Sequence, residues 1–272
     1  MRLPASMPDG SADASTPLRM PGVTHAMGLV VMYFILQAAA GLLVSFVAGA
    51  IERHRHPELS PALVHQHVMA VLHGADSNAL LIILALPLIA LLMLGWVHHR
   101  WPALWAMPRP PGLGFCAPRS AHWYVLALLV GVTMPPLGAL LTELAAHGHA
   151  VAQNVEDISR HASWNLRLPL AIVIVTVGPL VEELMFRGVL LSALMHRLST
   201  GLSVAICATL FGVVHLAGLD FQWYALPNLI LLAAALCWLR LNSTSLWPAV
   251  VAHGVYNLFA LVALFETTPA HS

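Results

Sequence analysis

Long apolar runs alternate with short polar connectors along this chain, a pattern unlike the half-buried elements of a water-soluble domain. A helix crossing a bilayer needs about 20 mostly apolar residues. Seven stretches meet or approach that length: Met27–Ile51, Asn78–Val97, His122–Leu144, Leu168–Leu198, Gly201–Gly218, Tyr224–Leu241 and Leu246–Phe265. The fourth is long and the fifth short. Pro87, Pro135, Pro136 and Pro179 fall inside these spans, where the pattern predicts kinks rather than breaks, because neighbouring helices can satisfy the carbonyls a proline frees. The predicted fold class is all-α: a polytopic transmembrane bundle of about seven or eight helices around an intramembrane polar cavity. The boundaries read as a disordered amino-terminal tail (1–26), front helices and connectors (27–160), a back helical core (161–266) and a short carboxyl-terminal tail (267–272). Pro108 to Gly114 is the clearest stiff connector between front and back.

Composition sharpens this reading. Of 272 residues, 59% are hydrophobic and only 9% charged, and the mean hydropathy is +0.79, which polar surface could not cover in water. The chain is therefore predicted to be a multi-pass protein of the cell inner (plasma) membrane. All twelve basic residues are Arg, the net charge is zero and no basic run exists, so nucleic acid is not an expected partner. Cys116, Cys207 and Cys237 form no metal or redox spacing. An inside amino terminus puts Arg2, Arg19, Arg100, Arg109, Arg119, Arg197 and Arg240 on the cytoplasmic side, against Arg53, Arg55, Arg160 and Arg167 outside. That asymmetry predicts a cytoplasmic amino terminus.

Two histidine groups lie in connectors. His54, His56, His65, His67 and His73 read as part of an interfacial helix with Val64, Val68 and Leu72 on its apolar side. His147, His149 and His161 fit no ligand spacing.

The chemistry lies deeper. Ionisable groups inside spans are expensive and by default functional, and three pairs at helical i, i+4 spacing fall in the back half: Glu183 with Arg187, Phe211 with His215, and His253 with Asn257. At about 1.5 Å per residue, Glu182 lies about 24 Å and His215 about 21 Å from span ends on the same side. His253 and Asn257 lie roughly 11 and 17 Å from a third such end. One shared cavity open to the cytoplasm is the economical expectation. A plain ion pair would account for Glu183 with Arg187, and an interhelical hydrogen bond for a lone His. Glu182 resists that account, because it projects about 100° away from Glu183 on the helix and one Arg cannot neutralise both. Glu182 with His215 could take a proton from water while His253 and Asn257 donate to a developing oxyanion, with Glu183, Arg187 and Phe211 in support. That would be peptide or ester hydrolysis. Alternatively Glu and His could bind zinc, although no HExxH or HxxEH is present. The pattern also admits an ion-coupled transporter, or a non-catalytic membrane scaffold or immunity protein that keeps the pocket.

Glu182-Glu183-Leu184-Met185-Phe186-Arg187 resembles the EExxxR signature of the CAAX prenyl-protease and bacteriocin-processing (CPBP) intramembrane proteases, Phe211 to His215 its FxxxH element, and His253 to Asn257 its HxxxN element. Order and flanks (Gly178-Pro179; Ser245-Leu246-Trp247-Pro248) also match, over roughly Leu168 to Leu258. The resemblance implies an intramembrane endopeptidase of bacterial type, acting on a peptide or protein substrate that in some members is lipidated, with membrane lipid as its surroundings. It implies Glu182 and His215 as water activators, His253 and Asn257 as oxyanion site, and Glu183 and Arg187 as support. The family has been described both as glutamate-type and as metalloproteases. The residues favour the glutamate type with no cofactor, zinc being the metal left open.

Overall fold

A computed structural model describes residues 19–147 and 162–266, and within them the chain is helical with no strand. The main elements are α1 (Val23–Arg55), α2 (Pro61–Leu72), α3 (Ala75–Arg100), the short α4 (Pro102–Trp105), α5 (His122–Ala146), α6 (Trp164–Met195), α7 (Thr200–His215), α8 (Leu226–Ser243) and α9 (Trp247–Glu266). Among the described residues six helices are long and apolar enough to cross a membrane: α1, α3, α5, α6, α7 with its 3₁₀ extension to Leu219, and α8 with its 3₁₀ lead from Trp223. The seventh expected span is a shorter apolar stretch, Trp247–Val262. The protein is thus a polytopic helical bundle, as the apolar runs predicted. Most of the tail 1–26, together with His149, Arg160, His161 and the tail 267–272, lies outside the described residues.

Local chemistry explains the boundaries. Ser60 accepts a hydrogen bond from Leu63 N and Pro61 occupies the first turn, which starts α2 where its preceding residue is already extended. Val64 and Val68 are its buried residues and its histidines face outward, in keeping with a helix lying at a surface. His67 and His56 pair with Glu52 and Glu58. The chain stays helical through Pro87, Pro135 and Pro136.

α6 departs from a uniform helix. It runs as α over Trp164–Ile172, as π over Val173–Val177, as α over Gly178–Glu183, as π again over Leu184–Leu190, and as α to Met195. Pro179 has no N–H to give the Val175 carbonyl four residues back, and the Gly178 N–H reaches Val173 O instead. The expected proline kink is therefore expressed as a widened turn just before the tandem acids.

The largest core cluster joins α1, α3, α6, α7, α8 and α9, while α5 packs in a second one with α8 and α9. Ala26, Leu29, Val30 and Tyr33 of α1, Ile89 and Met93 of α3, and Val181, Leu184 and Phe186 of α6 pack in the larger one with Phe211 and Cys237. The Pro108–Gly114 connector is docked against the back helices. Arg240 of α8 donates to the carbonyls of Pro108 and Gly112, each at 2.7 Å. The Leu246 N–H reaches Gly114 O at 2.8 Å. Gly114 has φ +79°, and a Cβ there would meet the Arg240 guanidinium at 2.6 Å. Arg240 is fully buried and clamps the connector.

Candidate functional site

The tandem acids occupy the last turn of the α segment between the two π stretches of α6, and they part company there. Glu183 is sealed in the protein. Its Oε1 accepts from Arg187 Nη1 at 3.0 Å and from His253 Nδ1 at 2.9 Å, while Oε2 is buried with no partner among the described residues. Arg187, also wholly buried, sends Nη2 to the Ala233 carbonyl of α8 at 3.2 Å. Its guanidinium carbon lies 4.4 Å from the centre of the Phe211 ring, a cation–π contact that adds to the ion pair.

Glu182 points to the other side. Its Oε2 lies 3.5 Å from His215 Nε2 of α7 and 3.8 Å from His253 Nε2 of α9. Side-chain exposure falls from 33% at His215 to 19% at Glu182 and 5% at His253, so the cluster is reached past His215 and Glu182 and closed behind by His253. Both rings are tethered by their far nitrogens. His215 Nδ1 lies 2.7 Å from the Phe211 carbonyl, which can only accept, so that nitrogen carries the proton. His253 Nδ1 faces the Glu183 carboxylate, which is engaged with Arg187, and donates likewise. Phe211 packs between the rings, 4.3 Å from that of His215 and 5.7 Å from that of His253 by centroid, and edge-on to Phe186.

Asn257, one turn beyond His253, donates to the Ile174 carbonyl in the first π stretch at 3.0 Å. One amide N–H remains for another acceptor. The structure thus brings Glu182, His215 and His253 into one cluster and places Glu183, Arg187 and Phe211 directly behind it, while Asn257 is bonded to the Ile174 carbonyl and makes no hydrogen bond to the three. Sequence reasoning missed the bond between Glu183 and His253, 70 positions apart. It also missed the Ala233 carbonyl and the α1 side chains against the site, which carry no motif.

Zinc is testable against this donor set. Glu182, His215 and His253 are of types that ligate it. Among the described residues they approach one another through Glu182 Oε2, at 3.5 and 3.8 Å from the two Nε2 atoms, and no group of three His, Cys, Asp or Glu side chains is closed up as a set of ligands around an ion. No step of the chemistry proposed for this site is routed through a metal.

Fold and site together define a multi-pass membrane protein that carries a buried acid–imidazole cluster. Residues 163–259 match the family described as Type II CAAX prenyl endopeptidase Rce1-like, a match consistent with the CPBP resemblance and spanning the whole cluster. It supports a CAAX-type intramembrane endopeptidase in general, with a peptide or protein substrate in a lipid setting, and does not favour the transporter alternative. No curated protein and no solved structure matches the chain.

Proposed function

We propose that this protein is an intramembrane endopeptidase of glutamate type, hydrolysing a peptide bond with water activated by Glu182 and His215 while His253 and Asn257 hold the oxyanion. The observation that carries the reading is the convergence of two imidazole Nε2 atoms on one carboxylate oxygen. With each Nδ1 donating away from the centre, neutral rings present only lone pairs there, as Glu182 does. A group of acceptors is satisfied by a donor, and water brings two O–H groups to it.

The proton count follows. Two carboxylates and one guanidinium leave one negative charge in a low-dielectric setting, and a single further proton makes the cluster neutral. His253 touches both carboxylates, so that proton on its Nε2 supplies a hydrogen-bond donor. Water then loses a proton to Glu182 and its oxygen adds to the scissile carbonyl carbon. The carbonyl electron pair moves to oxygen, which accepts from His253 Nε2–H and the remaining Asn257 N–H. As the C–N bond breaks, Glu182 returns its proton to the departing amine, leaving a new carboxyl terminus and a new amine.

Glu182→Gln removes the base and keeps the shape. In purified, detergent-solubilised protein we expect cleavage of internally quenched peptides, farnesylated CAAX peptides and their unmodified twins among them, to fall by about 10²–10⁴-fold. Turnover equal to wild type would remove the assignment. Exhaustive chelation and elemental analysis test the metal-free reading separately: activity should survive with no stoichiometric zinc. The pH profile should be bell-shaped, its limbs belonging to the coupled cluster rather than to one residue.

A further inference from the structure

A second cavity, of about 460 Å³, lies where the connector after α4 meets the turn between α8 and α9. Arg109 and Arg119 both line it, together with the rings of Pro110 and Pro111, Met107 and Thr244. Neither guanidinium makes a hydrogen bond, ion pair or ring contact among the described residues, and both side chains are exposed. Successive spans alternate in direction, so the described carboxylates outside the buried cluster, Glu52, Glu58, Asp76, Glu143, Asp220 and Glu266, fall at the other end of the bundle. Nothing acidic among the described residues is at hand to neutralise the pair.

Orientation alone asks for arginines at one end of a membrane protein, but not for two in one cavity. The walls of this cavity are also fixed in advance. Arg240 bonds the carbonyls of Pro108 and Gly112, the Cys116 thiol donates to Thr244 O at 3.5 Å, and Ser245 Oγ donates to Cys116 O at 2.6 Å. Phe115, next to Cys116, stacks on Trp105 at 3.9 Å and meets Trp247 at 5.7 Å, and tryptophan is enriched at the headgroup level of a bilayer. Two guanidiniums suit an anion with several acceptor oxygens, as a phosphate has. The proline rings and Met107 suit the carbons attached to it.

We propose that this cavity binds the headgroup phosphate of an anionic phospholipid, with Arg109 and Arg119 as its cationic ligands. A bound lipid would tie the connector and the start of α9, the helix that carries His253, to the bilayer surface.

Thermal melts of the full chain in neutral detergent, titrated with short-chain phosphatidylglycerol, test this without any cleavage assay. The lipid should raise Tm saturably, and phosphatidylcholine or inorganic phosphate at the same concentration should raise it far less. Arg109→Gln and Arg119→Gln should each keep the lipid-free Tm, since neither side chain bonds the protein, and weaken the apparent Kd about tenfold, the loss expected for one charge-assisted hydrogen bond. Arg197→Gln, an exposed arginine at the same end but outside the cavity, should stay within about twofold of wild type. Ala117→Trp keeps both charges, fills the cavity and should abolish the shift. An unchanged Kd in both cavity arginine variants, an equal loss in Arg197→Gln, or a full shift in Ala117→Trp would overturn the site. A shift from inorganic phosphate or phosphatidylcholine as large as that from phosphatidylglycerol would overturn the anionic lipid as its ligand.

Discussion

The adjacent carboxylates Glu182 and Glu183 have opposite surroundings, and this separates stability from activity at the residue scale. Glu183 has no exposed side-chain surface and holds both Arg187 and His253, so Glu183→Gln strands a buried guanidinium. Removing one member of such a pair costs about 3–5 kcal/mol, and we expect a clear fall in Tm and in the yield of folded protein. Glu182→Gln sits at the accessible edge of the cluster, and should leave the melt near wild type while cutting cleavage by about 10²–10⁴-fold. Tm and turnover measured on the two variants check this crossing of effects. Arg187→Lys should not rescue, because a single ammonium cannot reach Glu183 and the Ala233 carbonyl while lying over the Phe211 ring. The sequence made part of this legible. Four-residue spacing pairs Glu183 with Arg187, and the helical turn sends Glu182 elsewhere. It could not reveal that Glu183 also orients His253, because that contact depends on how α6 and α9 pack.

At the scale of elements, the long fourth span was visible as an apolar run, but its two π stretches were not, since no residue pattern marks a widened turn. They matter to the site. Pro179 leaves the Val175 carbonyl without its usual helical donor, and Gly254 of α9 lies directly against that carbonyl, where a Cβ would collide with it. One residue on either side of this contact changes the view: His253 precedes Gly254, and Asn257 donates to Ile174 O in the same π stretch. The glycine between His253 and Asn257 is therefore a spacing device that sets α9 against α6. Gly254→Ala should push the helices apart and carry His253 away from both carboxylates. A displacement of about 1 Å costs on the order of 10²-fold in rate. Kinetics of Gly254→Ala, compared with an exposed control such as Gly201→Ala, where a Cβ meets nothing within 4 Å, would measure that contribution.

For the whole molecule, hydropathy set out the number and order of the spans well, because burial in lipid and burial in protein both demand apolar residues and the helix must satisfy its own backbone. Charge was a poorer guide, since it cannot distinguish an arginine at a surface from one used inside. Arg240 looked like a loop charge at a span end, yet it is buried and holds the 108–114 connector. Without it the predicted cytoplasmic side keeps Arg2, Arg19, Arg100, Arg109, Arg119 and Arg197, and the outside keeps Arg53, Arg55, Arg160 and Arg167. The sign of the bias survives, and with it the prediction of a cytoplasmic amino terminus. In a Cys116→Ser background, where the remaining Cys207 and Cys237 are buried, single cysteines at the exposed positions Glu58 and Ala117 should answer oppositely to a membrane-impermeant maleimide. Glu58→Cys should label in intact cells and Ala117→Cys only after permeabilisation. The reverse pattern would turn the bundle over. It would also move the mouth of the site to the other face of the membrane, since α6, α7 and α9 were placed by the same count, and a substrate would then have to be sought outside the cytoplasm.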